Sequence, residues 1–131
     1  MTEMLRFKVD KLIRDGLPQI MRSQGLRVFE RTLDDAEYLA ELKRKLAEEA
    51  AEAASADADS LIEELADVLE VVIALAQAAG AGLDDVETRR LAKRAERGGF
   101  EGRVYSACVE AEAGSAAAAY YLDRPEQYPR L

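Results

Sequence analysis

The sequence predicts an all-α chain, an antiparallel helical bundle, with a candidate two-stranded β ribbon as its one exception. Three observations carry that expectation. Ala is abundant among the apolar 49% of residues and Trp is absent, a composition for closely packed helices rather than a sandwich. Residues 34–54 and 60–79 repeat apolar side chains at helical spacing behind cap-forming residues. The polar break between them, Ser55 to Asp59, is short, so the two helices should be antiparallel neighbours. A chain of 131 residues is one domain by size, 1–131, and long enough for a genuine core. The core is expected at 8–100, with 110–131 as a C-terminal extension.

Taken in order, residues 5–13 read as an irregular lead-in that Gly16 ends. Pro18 suits the start of a short helix, 18–24, closed by Gly25. Residues 26–32 alternate around Val28 and Phe29 and predict a short strand. Asp34 is the expected N-cap of the next helix, with Glu37 at its third position. Ser60 and Glu63 read as a capping box for the helix at 60–79, which Gly80 and Gly82 stop. Asp57 and Asp59 lack the glycine and distal ligand of a calcium loop. Asp84 to Glu87 opens a helix at about 84–97, ended by Gly98 and Gly99, with Arg90, Lys93 and Arg97 forming a basic stripe. Residues 103–109 alternate and could pair with 26–32. A weak helix begins at Ser115, and the rest is a tail. Cys108, alone in the chain, excludes an internal disulfide and reads as a small buried apolar residue.

Two acidic clusters stand out, Glu48-Glu49-Ala-Ala-Glu52 and Glu63-Glu64-Leu-Ala-Asp67. At 100° per residue, Leu39, Leu42, Leu46, Ala50 and Ala53 form one apolar stripe, and Leu61, Leu65, Val68, Leu69, Val72 and Leu75 form the other. Glu49 and Glu64 lie at the stripe edges, with Asp67 next to Glu64 and Glu52 further round from Glu49, while Glu48 points nearly opposite. Such residues are commonly solvated faces of acidic helices. Like charges beside a core are costly unless something neutralises them. Two antiparallel helices could aim Glu49, Glu52, Glu64 and Asp67 at one point, a donor set for a hard cation such as Mg2+.

The formal charge of −8 is uneven. Residues 34–70 hold 13 acids and 3 bases, a net of −10, whereas 1–33 hold 4 acids and 7 bases, a net of +3. That balance argues against a nucleic-acid polymer as partner. It suits a metal plus a small polyanion. No apolar run reaches the roughly 18 residues of a membrane span, and the N-terminus does not read as a signal peptide, so no membrane partner and a cytoplasmic location are expected.

Four patches together resemble a known family. They are Lys11-Leu-Ile-Arg14-Asp15-Gly-Leu-Pro18, Lys45-Leu-Ala-Glu48-Glu49-Ala-Ala-Glu52, Glu63-Glu64-Leu-Ala-Asp67-Val-Leu-Glu70 and Lys93-Arg94-Ala-Glu-Arg97-Gly98-Gly99-Phe100. In order and spacing they resemble the MazG-like all-α nucleoside triphosphate pyrophosphohydrolases, in particular the small phosphoribosyl-ATP pyrophosphohydrolase-like members. The family signature, Glu-x-x-Glu then Glu-x-x-Asp on the next helix, falls on Glu49, Glu52, Glu64 and Asp67. The gap between Glu52 and Glu64 is at the short end for that signature. The resemblance implies Mg2+-dependent cleavage of a nucleotide between its α and β phosphates, to the monophosphate and pyrophosphate. It also implies a homodimer or a dimer of dimers.

On that reading the four carboxylates hold Mg2+, or Mn2+ in its place, and Glu49 or Glu52 is the candidate general base, since the chain has no His. Lys93 and Arg97 would bind phosphate oxygens, with Lys11 and Arg14 as second candidates. Two alternatives remain at this stage: phosphoribosyl-ATP hydrolysis in histidine biosynthesis, and a catalytically silent helical dimer that binds nucleotide or a protein.

Overall fold

A computed structural model describes residues 2–131. Its helices are α1 (Leu17–Ser23), α2 (Asp35–Ser55), α3 (Leu61–Ala78), α4 (Leu83–Arg97) and α5 (Ala116–Leu122). There is no strand among the described residues, so the chain is all-α. The expected ribbon does not form. Alternation over a few residues is a weak instruction, and an isolated two-stranded pair is marginal in water. The 26–32 stretch is instead pinned by side chains. Arg22 donates to the Val28 carbonyl at 3.1 Å and to Glu30 at 2.7 Å, and Arg31 grips Glu37 through both terminal nitrogens. The 103–109 stretch holds Arg103 at a positive φ of 56°, which interrupts a strand where it would begin. Cys108 is exposed rather than buried, because the segment around it packs into no core.

Local signals explain the helix ends. Asp34 accepts the Glu37 N–H at 2.8 Å, the cap the sequence predicts for α2. At α3 the expected capping box gives way to a competing acceptor. Asp57 takes both the Ser60 N–H and the Ser60 hydroxyl at 2.9 Å, so the Ser60 side chain no longer faces the helix. Gly80 ends α3 with φ 79°, and the Ala81 N–H then reaches back to the Ala76 carbonyl at 2.8 Å.

The chain divides into two compact units, Met1–Lys93 and Arg94–Leu131, with the boundary inside α4. In the first, α2 and α3 pack as a hairpin across the break at 56–60. Leu42, Val71 and Ala76 are its buried apolar residues, and no described side chain is completely enclosed. The outward stripe of α3 stays open: Ile62 is 73% exposed, Leu65 47% and Leu69 48%. The chain bends by 107° between α3 and α4. Helix α4 packs on no other helix among the described residues. No single described helix is long and apolar enough to cross a membrane.

In the second unit Ser115 caps α5 by accepting the Ala118 N–H at 3.1 Å. Tyr120, Tyr121 and Tyr128 cluster with ring centroids 4.9–6.2 Å apart, and Arg124 lies over the Tyr120 ring at 3.9 Å. These aromatic contacts are what a unit of this size has for a core.

Candidate metal centre

The α2–α3 hairpin brings Glu49, Glu64 and Asp67 together, each offering a carboxylate oxygen within 4.8 Å of the others. Helical repetition puts Glu64 and Asp67 on neighbouring positions of one face of α3. The antiparallel return of the chain sets Glu49 of α2 opposite them. Glu49 is buried, at 7% exposure, and is the only charged residue so placed among those described. Its Oε1 meets Lys45 Nζ at 3.1 Å. Its Oε2, like Oε2 of Glu64, is buried with no hydrogen-bond partner. A buried carboxylate oxygen without a partner is costly. Two such carboxylates, converging with Asp67 from neighbouring helices in an all-oxygen donor set, fit a hard divalent cation.

Glu52 stands beside this group of three rather than within it. Close approach to the Glu49 carboxyl, and the charge Glu49 carries, hold its own carboxyl above the usual carboxylate range. Partial desolvation and the charges of Glu64 and Glu48 add to the shift. Glu52 is exposed and open to water.

Basic side chains ring the cluster. Lys11 Nζ donates to Glu48 Oε1 at 3.0 Å, and Arg14 Nη2 donates to Asp67 Oδ1 at 2.7 Å. The bond to Lys11 lowers the Glu48 carboxyl and raises the Lys11 ammonium, which also feels Glu52 and Glu49. Lys11 and Arg14 were the secondary phosphate-binding candidates, and both reach the acidic face. The primary pair lies otherwise. Lys93 is exposed on α4, makes no ion pair among the described residues and is not brought to the carboxylates. Arg97 is exposed and contacts its neighbour Glu96 at 3.9 Å.

Sequence reasoning overlooked two participants. Lys45 is half-buried and salt-bridges Glu49 and Glu48. Its spacing of four residues before Glu49 is the signal that could have found it. Glu48 projects away from the apolar stripe, yet it is half-buried because Lys11 covers it.

Residues 38–98 match the family model of the MazG nucleotide pyrophosphohydrolase domain. Over that stretch the chain is similar to a MazG domain. The matched stretch runs from the start of α2 past the end of α4 and contains the whole carboxylate cluster. An uncharacterised protein of Mycolicibacterium smegmatis is 47% identical over 47 residues, which cover 36% of this chain and 48% of that protein. The chain thus spans about half the length of that curated relative. No solved structure matches.

Proposed function

We propose that this protein is a Mg2+-dependent nucleotide pyrophosphohydrolase that converts a (deoxy)nucleoside triphosphate and water to the monophosphate and pyrophosphate, serving to clear unwanted nucleotides. The observation that carries this reading is the convergence of the Glu49, Glu64 and Asp67 carboxylates, with one partnerless buried oxygen on each of Glu49 and Glu64, within the stretch that matches a MazG domain.

Glu49, Glu64 and Asp67 would hold the cation. When bound, Mg2+ neutralises phosphate charge and makes the phosphorus more electrophilic. Glu52 is the better placed of the two candidate bases. It lies outside the group of three, faces water, and has its carboxyl raised beside Glu49, so it can take a proton from the attacking water without giving up a ligand position. Lys45 balances Glu49 and fixes its carboxylate on the cluster. Arg14 and Lys11 lie within one side chain of the acidic face and can take phosphate oxygens. The guanidinium offers paired donors and the ammonium a compact charge. Lys93 is a further phosphate-binding candidate on this reading, carried from the four-patch pattern.

The same reading includes a homodimer. The open stripe of Ile62, Leu65 and Leu69 on α3 follows i, i+3, i+7 spacing, and a second hairpin would cover it and complete a four-helix bundle. Sedimentation of Leu69→Glu at half the mass of wild type is the expected outcome.

The test is pyrophosphate release from canonical and damaged (deoxy)nucleoside triphosphates and from phosphoribosyl-ATP, with Mg2+ or EDTA. Release by wild type, lost in EDTA and in Glu64→Gln, is expected. Release that persists undiminished in EDTA would refute the metal-dependent reading, and exclusive turnover of phosphoribosyl-ATP would replace its substrate.

A further inference from the structure

The segment before α1 is tied to the hairpin in an unusual way. Between residues 2 and 16 no backbone hydrogen bond reaches α2 or α3 among the described residues. The ties are two ion pairs, Lys11 to Glu48 and Arg14 to Asp67, flanking half-buried Leu12 and Ile13. Both partners belong to the acidic face, and Asp67 is itself one of the three converging carboxylates. Five carboxylates (Glu48, Glu49, Glu52, Glu64 and Asp67) meet three bases (Lys11, Arg14 and Lys45) here, leaving a formal charge of 3 − 5 = −2. Arg14 occupies on Asp67 the role a cation would take.

We propose that residues 11–14 are a charge-exchange strap, in which Lys11 and Arg14 hold the cation-free acidic face and Arg14 leaves Asp67 for the phosphate oxygens of an incoming nucleotide once a divalent cation is bound. This rests on the metal-site reading above. Its physical basis is competition for one carboxylate. A guanidinium and a dication on the same Asp repel each other at short range, and the Arg14 pair is exposed, so it is weakly held. Lys11 and Arg14 are on the same segment, so both are delivered together where a polyanion needs positive charge. Cation and nucleotide would then bind in order, and the site would form only when both are present. Asp10, at a positive φ of 43°, turns the chain just ahead of the strap.

Trypsin cuts after Lys11 only when that bond is accessible, so digestion of the full chain reads the strap directly. Mg2+ binding is followed in parallel by calorimetry. Mg2+ alone should speed cleavage at Lys11 several-fold, and Mg2+ with a non-hydrolysable triphosphate analogue should restore or exceed the original protection. Arg14→Gln should bind Mg2+ about threefold to fivefold more tightly, the scale of one lost exposed ion pair, and bind the analogue more weakly. Lys43→Gln, the same charge change on the exposed side of α2, controls for bulk charge. Mg2+ binding without faster cleavage, or equal tightening in Lys43→Gln, overturns the strap and leaves the metal site standing. No Mg2+ binding by wild type overturns both.

Discussion

Charged residues on α4 and on the α2–α3 hairpin are satisfied in different ways. On α4 the partners are local: Arg90 bonds Glu87 one turn away, with Nε at 2.9 Å, and Asp85 accepts the Gly82 N–H at 2.8 Å. On the hairpin local pairs such as Lys45–Glu49 are joined by remote ones, Lys11 to Glu48 across 37 positions and Arg14 to Asp67 across 53, and two buried oxygens have none. A local pair at helical spacing contributes a few tenths of a kcal/mol and can be lost without consequence. Charges that are gathered from distant positions and still left incomplete were not placed there by helix stability, and they mark the candidate site. Neutralising one charge in each region is the direct way to break this contrast. Glu64→Gln should lower pyrophosphate release at least about 100-fold, as loss of a metal ligand does, whereas Glu87→Gln should leave it unchanged. Comparable losses in both would erase the distinction.

Stability should divide along the same line. Leu42 is 3% exposed, the most buried apolar side chain described, whereas Leu91 on α4 is 50% exposed. Leu42→Ala should cost about 2–3 kcal/mol in chemical unfolding, and Leu91→Ala less than about 0.5 kcal/mol. An equal cost at Leu91 would mean that α4 has a packing partner.

The cluster's incompleteness should also appear as stability that waits for a cation. In EDTA, Glu64→Gln removes one buried charge and supplies an amide donor toward Glu49, so it should melt at or above wild type, by about 1 kcal/mol. Added Mg2+ should raise the melting temperature of wild type and leave the variant where it was. The opposite ranking in EDTA would show that the Glu64 carboxylate already has a good partner.

Much of this was legible in the sequence, for reasons that differ residue by residue. Periodicity alone fixes which face of a helix a residue occupies, so Glu49, Glu64 and Asp67 could be put beside the core before any packing was known. The Asp34 cap depends on residues within one turn and was equally readable. The cap of α3 was not, because Asp57 and Ser60 compete for the same N–H and geometry decides between them. Glu48 was set aside because projecting one helix cannot reveal Lys11 arriving from elsewhere. Lys93 and Arg97 depend on where α4 lies, which no spacing within α4 specifies. The ribbon failed because alternation at 26–32 and 103–109 was outweighed by local ion pairs and a backbone turn.

The smallest expected effect carries the contrast between served and unserved charges into pH, where the two ends of α2 should slope in opposite directions. Glu37, at the start of α2, is fully served. The hydrogen bond from Arg31 leads, and despite partial desolvation its carboxyl is lowered from 4.5 to about 2. Its folded form binds the proton more weakly than the unfolded chain, so its contribution is present above pH 4.5 and is lost as pH falls toward 2. Glu52 is the reverse. Pressed against Glu49 and facing Glu64 and Glu48, with Lys11 also near, its carboxyl is raised above 4.5. Its penalty is present at neutral pH and is relieved as pH falls through the raised value toward 4.5. In the cation-free protein, Glu37→Gln should therefore flatten the acid loss of stability below pH 4.5. Glu52→Gln should raise stability at pH 7 and leave it nearly unchanged at pH 4. Unfolding at a series of pH values separates the two, and Mg2+ should abolish the second effect while leaving the first, because the cation neutralises the cluster and does not reach Arg31.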